Sequence, residues 1–345
     1  MSPPPSRLRR WLDPACWPWS RVVLVLFAPV MLAVASRLIA PALPDDHVWI
    51  HAAKAGLLTL PRWAMAAWGP WGLLLTVRVR ALLAPSVILG LFGLVVSGEP
   101  LSDLPLDGFK IVTSNVNTYG EDPTPGATAE ALAALGADVL VTLERRPEAI
   151  PGMVRKADDF DDPMPRQSHA SAVFCRPGFD CEAEVTEQIG SDTMKMPVAL
   201  VRVQREMCLL GIHAPPPAPY DPTGIGPYIA EVARHLADGR LSMDWGPCKA
   251  GDPALVSGDM NAVPLSTAWR TLESCCGLTA PLYEHGIFAA SWPAGGGWPD
   301  APFFSIDHVF AGAVEVSGLR LTRIPGTDHK ALSMRARPRL VHPRR

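Results

Sequence analysis

Two asparagines stand two residues apart in VTSNVNTYG, so an extended chain directs Asn115 and Asn117 to the same side. Glu144 closes the apolar run VLVTLERR, and His213 closes LLGIHAPPP. In ALVSGDMNAVP, Asp259 and Asn261 again share a side and follow Gly258, where the backbone can approach a ligand closely; the same pair also fits an Asx-turn. FSIDHVF puts Asp307 and His308 on opposite faces, and GTDHKAL supplies Asp328 and His329. Strands disfavour Asn and Asp, and a buried carboxylate demands a partner, so these polar interruptions are the informative positions. Singly, each has an ordinary role: an Asn at a strand end forms turns, and His213 alone is a hydrogen-bonded structural histidine. Together, one Glu, three Asp, several amides and two His make an oxygen-rich set that suits Mg²⁺ or Mn²⁺ rather than zinc. Histidine beside a carboxylate adds proton transfer near neutral pH, because the carboxylate fixes its tautomer.

Short β-rich runs separated by turns must position these groups. FKIVTSNV, ADVLVTLE, HASAVFCR, FDCEAEVTEQ, MPVALVRVQ, EMCLLGIH, ALVSGDMN, FSIDHVFAG, VSGLRLTRI and ALSMRAR predict ten strands. Helical patterns occur at 128–135, 225–237 and 266–275, where Ser266 can cap the start. Helices interleaved among this many strands predict sheet-on-sheet packing with helices outside.

The first third of the chain is different. Residues 21–43, 55–77 and 81–97 are apolar stretches, the first with Arg37 near its far end and the second carrying Pro61, Arg62 and Pro70 with three tryptophans suited to an interfacial belt. They predict a membrane anchor of about three transmembrane helices over 1–98; a cleaved signal peptide is the competing reading of the first stretch. A linker over 99–108, a body over 109–337 and a basic tail over 338–345 follow. Residues 1–97 hold nine Lys/Arg against three Asp/Glu, which leaves 22 against 31 beyond them. An acidic body argues against a non-specific grip on a phosphate backbone and suits a binder of cations. The Arg-rich amino terminus and the Arg78/Arg80 turn belong inside by the basic-residue rule, which puts the body outside the cytoplasm, in a bacterial-type inner or plasma membrane. Six of the seven cysteines lie in the body, an even number compatible with an oxidising compartment. Cys175 and Cys181 flank an Arg-Pro-Gly turn, either facing each other across a hairpin or remaining as buried thiols.

The series SNVN, LE, GIH, GDMNAVP, SWP, IDHVF and TDH, in that order, resembles the endonuclease/exonuclease/phosphatase superfamily, which includes deoxyribonuclease I, over about residues 109–335. GDMN with the later DH is the most specific part, and a multi-span amino terminus is similar to the membrane-anchored branch. The resemblance implies an α/β fold, a four-layered α/β/β/α sandwich with the site at one end of its two sheets, and metal-dependent hydrolysis of phosphoester bonds. It implies Glu144 as the main Mg²⁺ ligand with Asn115 and Asp328 nearby, Mn²⁺ being able to replace Mg²⁺. His329, oriented by Asp307, would generate the attacking hydroxide. Asp259 would position or deprotonate water or assist the leaving oxygen, the base being open between Asp259 and His329. Asn261 and His213 would hold the phosphoryl oxygens, with Asn117 beside them.

Such a site answers the difficulty of a phosphodiester, whose negative oxygens must be neutralised before an in-line water can attack. The sequence departs from the family in Thr327, where Ser is usual, in CRPGF on the neighbouring hairpin, and in lacking a clear phosphate-contacting Tyr, for which Tyr220 and Tyr228 are candidates. The substrate expected is a phosphodiester, nucleic acid first; a lipid or inositol phosphate is the alternative that an anchor favours. A non-catalytic binding module is disfavoured because Glu144, Asp259, Asp328 and His329 are all present.

Overall fold

A computed structural model of the protein describes residues 107–339 apart from 117–125, 145–146, 148, 159–169, 186–188, 192–193, 216–224, 240, 244–245, 249–251, 263, 265, 282–289 and 293–303. The expected membrane stretches, Asn117, Tyr220 and most of the linker and tail lie outside the described residues. Among the described residues no helix is long and apolar enough to cross a membrane.

All ten expected strands form. One sheet contains β1 (Phe109–Asn115), β2 (Val139–Glu144), β3 (Val154–Asp158), β4 (Ala170–Cys175), β14 (Val314–Arg323) and β15 (Lys330–Pro338), in the order β14-β15-β1-β2-β4-β3. The second contains β5 (Cys181–Val185), β8 (Val198–Val203), β9 (Met207–His213), β12 (Ala254–Asp259) and β13 (Asp307–Gly312), in the order β13-β12-β9-β8-β5. Two small hairpins, β6 (Ile189–Ser191) with β7 (Met194–Met196) and β10 (Leu241–Met243) with β11 (Gly246–Cys248), complete the strands among the described residues. Among the described residues the helices are α1 (Ala127–Ala134), α2 (Ile225–Asp238) and α3 (Thr267–Cys276), the last capped by Ser266, whose Oγ accepts from the Trp269 N–H at 3.2 Å.

Three buried apolar layers separate four structural layers. Ile111, Val141, Leu209, Leu255, Val309 and Leu332 meet between the two sheets. Val112, Leu140 and Phe174 pack outward with Leu132 of α1, and Leu210, Val256 and Phe310 pack outward with Tyr228, Ile229 and Trp269 of α2 and α3. Successive residues of β1 or β9 therefore alternate between two dry interfaces, which is why these strands read as continuous apolar runs. Leu132 is fully buried, and truncating it leaves a cavity beneath α1. Leu132→Ala is expected to destabilise the protein by about 2–5 kcal/mol in urea titration.

Along the inner faces the residues grade from apolar to polar toward one pole. Ile111 is followed by Thr113 and Asn115, Leu209 by Gly211 and His213, and Leu255 by Ser257 and Asp259. Thr113 Oγ1 and Ser257 Oγ are 2.8 Å apart and join the sheets directly. Gly258 adopts φ 141°, and a Cβ there would overlap the Ile212 carbonyl oxygen and press on Leu143. Small residues therefore let the sheets close at this end, bringing the polar side chains of one sheet within hydrogen-bonding range of the other. A disulfide links Cys175 to Cys181 across the turn between β4 and β5, with Cα atoms 6.5 Å apart; the two cysteines do face each other, but across the passage from one sheet to the other, because β4 and β5 belong to different sheets and form no hairpin. Cys208–Cys248 and Cys275–Cys276 are also paired.

Candidate active site

Strand register collects the polar groups. Asp259 stands beside His213 in the parallel pair β12–β9 and beside Asp307 in the antiparallel pair β12–β13. Asn115 ends β1 next to Leu143. A period of two would send Glu144 to the outer face with Leu140 and Thr142, but its φ of 69° breaks the alternation. Its Oε1 then accepts from Asn115 Nδ2 at 3.0 Å and lies 3.2 Å from His213 Nε2. A left-handed conformation is costly for glutamate, so the strand end is shaped by what its carboxylate must reach.

Asn115 also crosses between the sheets: Nδ2 donates to Asp259 Oδ2 at 2.9 Å and lies 3.5 Å from His329 Nε2. Two carboxylates on that nitrogen fix the amide's orientation and leave Oδ1 buried without a hydrogen-bond partner. His329 Nδ1 is 2.9 Å from Asp307 Oδ2, and its Nε2 is 3.6 Å from Asp259 Oδ2 and 4.0 Å from Asp328 Oδ1. Thr327 Oγ1 donates to the Asn115 carbonyl at 2.9 Å and accepts from the His329 N–H at 3.1 Å, so the hydroxyl at this position ties the turn before β15 to the end of β1.

Seven of the expected residues, Asn115, Glu144, His213, Asp259, Asp307, Asp328 and His329, thus converge at one pole. Asn261 differs from expectation in detail. Strand β12 stops at Asp259, and the Asn261 N–H donates back to Asp259 Oδ1 at 2.8 Å with φ 46°, the Asx-turn alternative. Its Nδ2 donates to the Ala214 carbonyl at 2.8 Å and sits 3.5 Å from Asp259 Oδ2, at the rim of the cluster. Tyr228 lies fully buried in the core beneath α2, and burial raises its phenol pKa. His308 faces away as expected, its ring edge-on to Trp269 at 4.5 Å and its Nε2 2.7 Å from the Ala262 carbonyl. Burial lowers the His308 pKa to about 4, so it donates that bond as a neutral ring.

The charges are mutually dependent. Burial alone would raise the Glu144 pKa, but hydrogen bonding and charge from His213, with help from Asn115, lower it to about 2. Burial disfavours charged His213, yet Glu144 and Asp259 raise its pKa. Burial likewise opposes a charged His329, but Asp307 and Asp259 outweigh it and push the value up to about 10. Burial raises Asp259, opposed by the charge of His329. A buried group of carboxylates without enough positive charge thus draws protons onto its histidines, and a dication in the same place would neutralise the same excess. For the metal-free protein, the His329 contribution to stability is fully present below about pH 6.5 and lost as pH rises through about 10. His329→Gln should flatten that alkaline limb in urea unfolding followed with EDTA present.

The donor set fits a hard cation. Ligand atoms of Glu144, His213 and Asp259 lie within 4.8 Å of one another, as do those of Asp259, Asp307 and His329. With the unpartnered Asn115 Oδ1 they offer mostly oxygen, the preference of Mg²⁺ and Mn²⁺.

Comparison of the structure with solved structures identifies the architecture. The human Nocturnin catalytic domain with bound sulfate superposes with TM-score 0.50 at 14% identity, over 70% of this chain and 99% of that one. The AP endonuclease LMAP from Leishmania major superposes with TM-score 0.50 at 12% identity, over 70% of this chain and 95% of that one. The chain thus shares its two-sheet α/β sandwich with these two proteins, the architecture expected from its motifs. No protein-family model and no curated protein matches the sequence.

Ser291 and Trp292 also reach the site region, and sequence reasoning assigned them no role beyond the SWP motif. Their bonds run to residues 12–39 positions away, a separation that no local periodicity reveals.

Proposed function

We propose that the protein is a divalent-metal-dependent phosphoesterase, foremost a nuclease that hydrolyses phosphodiester bonds with an activated water. The observation that carries this reading is Asn115 bridging Glu144 and Asp259 between the two sheets, 3.5 Å from a His329 ring held by Asp307. Likeness in fold to a nuclease supports it.

Glu144, Asn115 and Asp328 would hold the cation, which when bound supplies neutralisation of the phosphoryl oxygens and polarisation of water. Asp307 keeps the His329 Nδ1–H directed at itself and leaves Nε2 turned into the site, where it takes a proton from water once it is neutral. Asp259 Oδ2, 3.6 Å from that nitrogen, orients the same water or transfers the proton to the leaving oxygen. His213 beside Glu144 and Asn261 at the rim offer donors to the phosphoryl oxygens.

The membrane anchor over 1–98 is part of the proposal, with the body on the extracytoplasmic side. The paired cysteines support an oxidising location, and the basic residues of the first third support that orientation. The anchor favours a second reading, turnover of a lipid or inositol phosphate at the bilayer surface. Full-length protein is to be assayed with Mg²⁺ on single- and double-stranded DNA, RNA, sphingomyelin and inositol phosphates. Cleavage of nucleic acid supports the nuclease; turnover of lipid or inositol phosphate alone supports the second reading.

A further inference from the structure

The Ser291–Trp292 dipeptide touches two of the three segments that carry acidic residues around His329, those of Asp307 and Asp328. Ser291 Oγ, fully buried, accepts from the N–H groups of Ile306 at 3.3 Å and Asp307 at 3.1 Å, at the start of β13. The Ser291 carbonyl accepts from the Lys330 N–H at 3.0 Å, directly after His329. Trp292 pairs with Phe304 through both backbone groups, N–H to carbonyl at 3.1 Å and carbonyl from N–H at 2.9 Å. Their rings stack with centroids 5.8 Å apart. From this braced position the indole Nε1–H donates to Asp328 Oδ2 at 2.8 Å.

An aspartate has two oxygens and a rotatable carboxylate, and an acceptor used on one oxygen settles where the other points. Here Oδ2 is engaged by the indole while Oδ1 lies 4.0 Å from His329 Nε2, turned toward the cluster. The Trp292 and His329 rings are 6.5 Å apart, so tryptophan stands at the wall of the site.

We infer that Trp292 is a positioning residue for Asp328: its indole N–H holds one carboxylate oxygen so that the other faces the cation site. The inference rests on the phosphoesterase reading and adds a residue to its metal-holding apparatus. A hydrogen-bonded partner of a ligating carboxylate affects metal affinity without contacting the metal.

The test uses full-length protein in detergent, with Mn²⁺ binding followed by electron paramagnetic resonance. Trp292→Phe keeps an aromatic ring against Phe304 and removes the N–H. It is expected to weaken Mn²⁺ binding by about 10–100-fold, with KM for a phosphodiester at saturating Mn²⁺ changed less than about twofold. In an Asp328→Asn background the same substitution should add nothing, because its partner is already altered. Equal Mn²⁺ affinity of Trp292→Phe and wild type, or an undiminished further loss in the Asp328→Asn background, overturns the inference and leaves the phosphoesterase reading standing. Absence of Mn²⁺ binding by wild type overturns both. Should Trp292→Phe fail to fold, ¹⁵N-indole NMR of wild type decides: the Trp292 Nε1–H resonance, assigned by a fluorinated-tryptophan or conservative-variant series, is expected to shift on Mg²⁺ titration, and an unmoved resonance under saturating Mg²⁺ contradicts the role.

Discussion

Replacing His329 by Gln is expected to lower kcat/KM for phosphodiester hydrolysis by about 10²–10⁴-fold, the range for losing a positioned general base. Glutamine retains a polar side chain in the buried slot between Asp307 and Asp259 but has no site that accepts a proton. Mn²⁺ binding should change only a few-fold, because Glu144 and Asn115 remain on the other side of the cluster. Asp307→Asn removes the anion that holds Nδ1–H at 2.9 Å and should give a smaller loss, through a misoriented ring. Steady-state kinetics at saturating Mg²⁺ read both effects. Retention of full activity by His329→Gln would move the proton transfer to Asp259.

Glu144→Gln should act on the metal instead. Its carboxylate is held ionised by His213 and Asn115, so it is available as an anion at any working pH. Gln conserves shape and can still meet Asn115, but the charge is gone and His213 loses its strongest partner. Mn²⁺ affinity is expected to fall by more than about 100-fold, beyond the upper end for groups that only support a ligand. Activity at fixed low Mg²⁺ should fall in parallel and recover in part as Mg²⁺ is raised, whereas His329→Gln should not recover. Titrating activity against Mg²⁺ for the two variants separates a binding defect from a proton-transfer defect.

The polar ends of apolar strands were legible because alternation carries them. Asn115, His213 and Asp259 follow inner-face residues at steps of two, so a parity count through Ile111, Leu209 and Leu255 leads to the site. Glu144 was legible as the polar end of an apolar run, but not its direction, since parity points it outward and its left-handed φ is what returns it. The opposite holds for β3, a Val-Arg-Lys-Ala-Asp edge strand with largely exposed side chains and no apolar alternation. The three-residue strands β6, β7, β10 and β11 are likewise too short to show a period. Asn261 read as a same-face partner of Asp259 because the Asx-turn and the extended chain share a two-residue spacing. The hydroxyl of Thr327 read as a minor departure, yet it makes the bond that joins β1 to the His329 turn. A serine could make the same contact, so the departure concerns a methyl group.

Hydrolysis of bis(p-nitrophenyl) phosphate by full-length protein, with Mg²⁺ or Mn²⁺ and then with EDTA, beside an Asp259→Ala/His329→Ala variant of unchanged fold, tests most directly whether this pole is a metal-dependent phosphoesterase site. Metal-dependent p-nitrophenol release that EDTA abolishes and the double variant lacks is the expected result. Release that persists in EDTA, or in the double variant, would contradict a metal-dependent phosphoesterase centred on these residues.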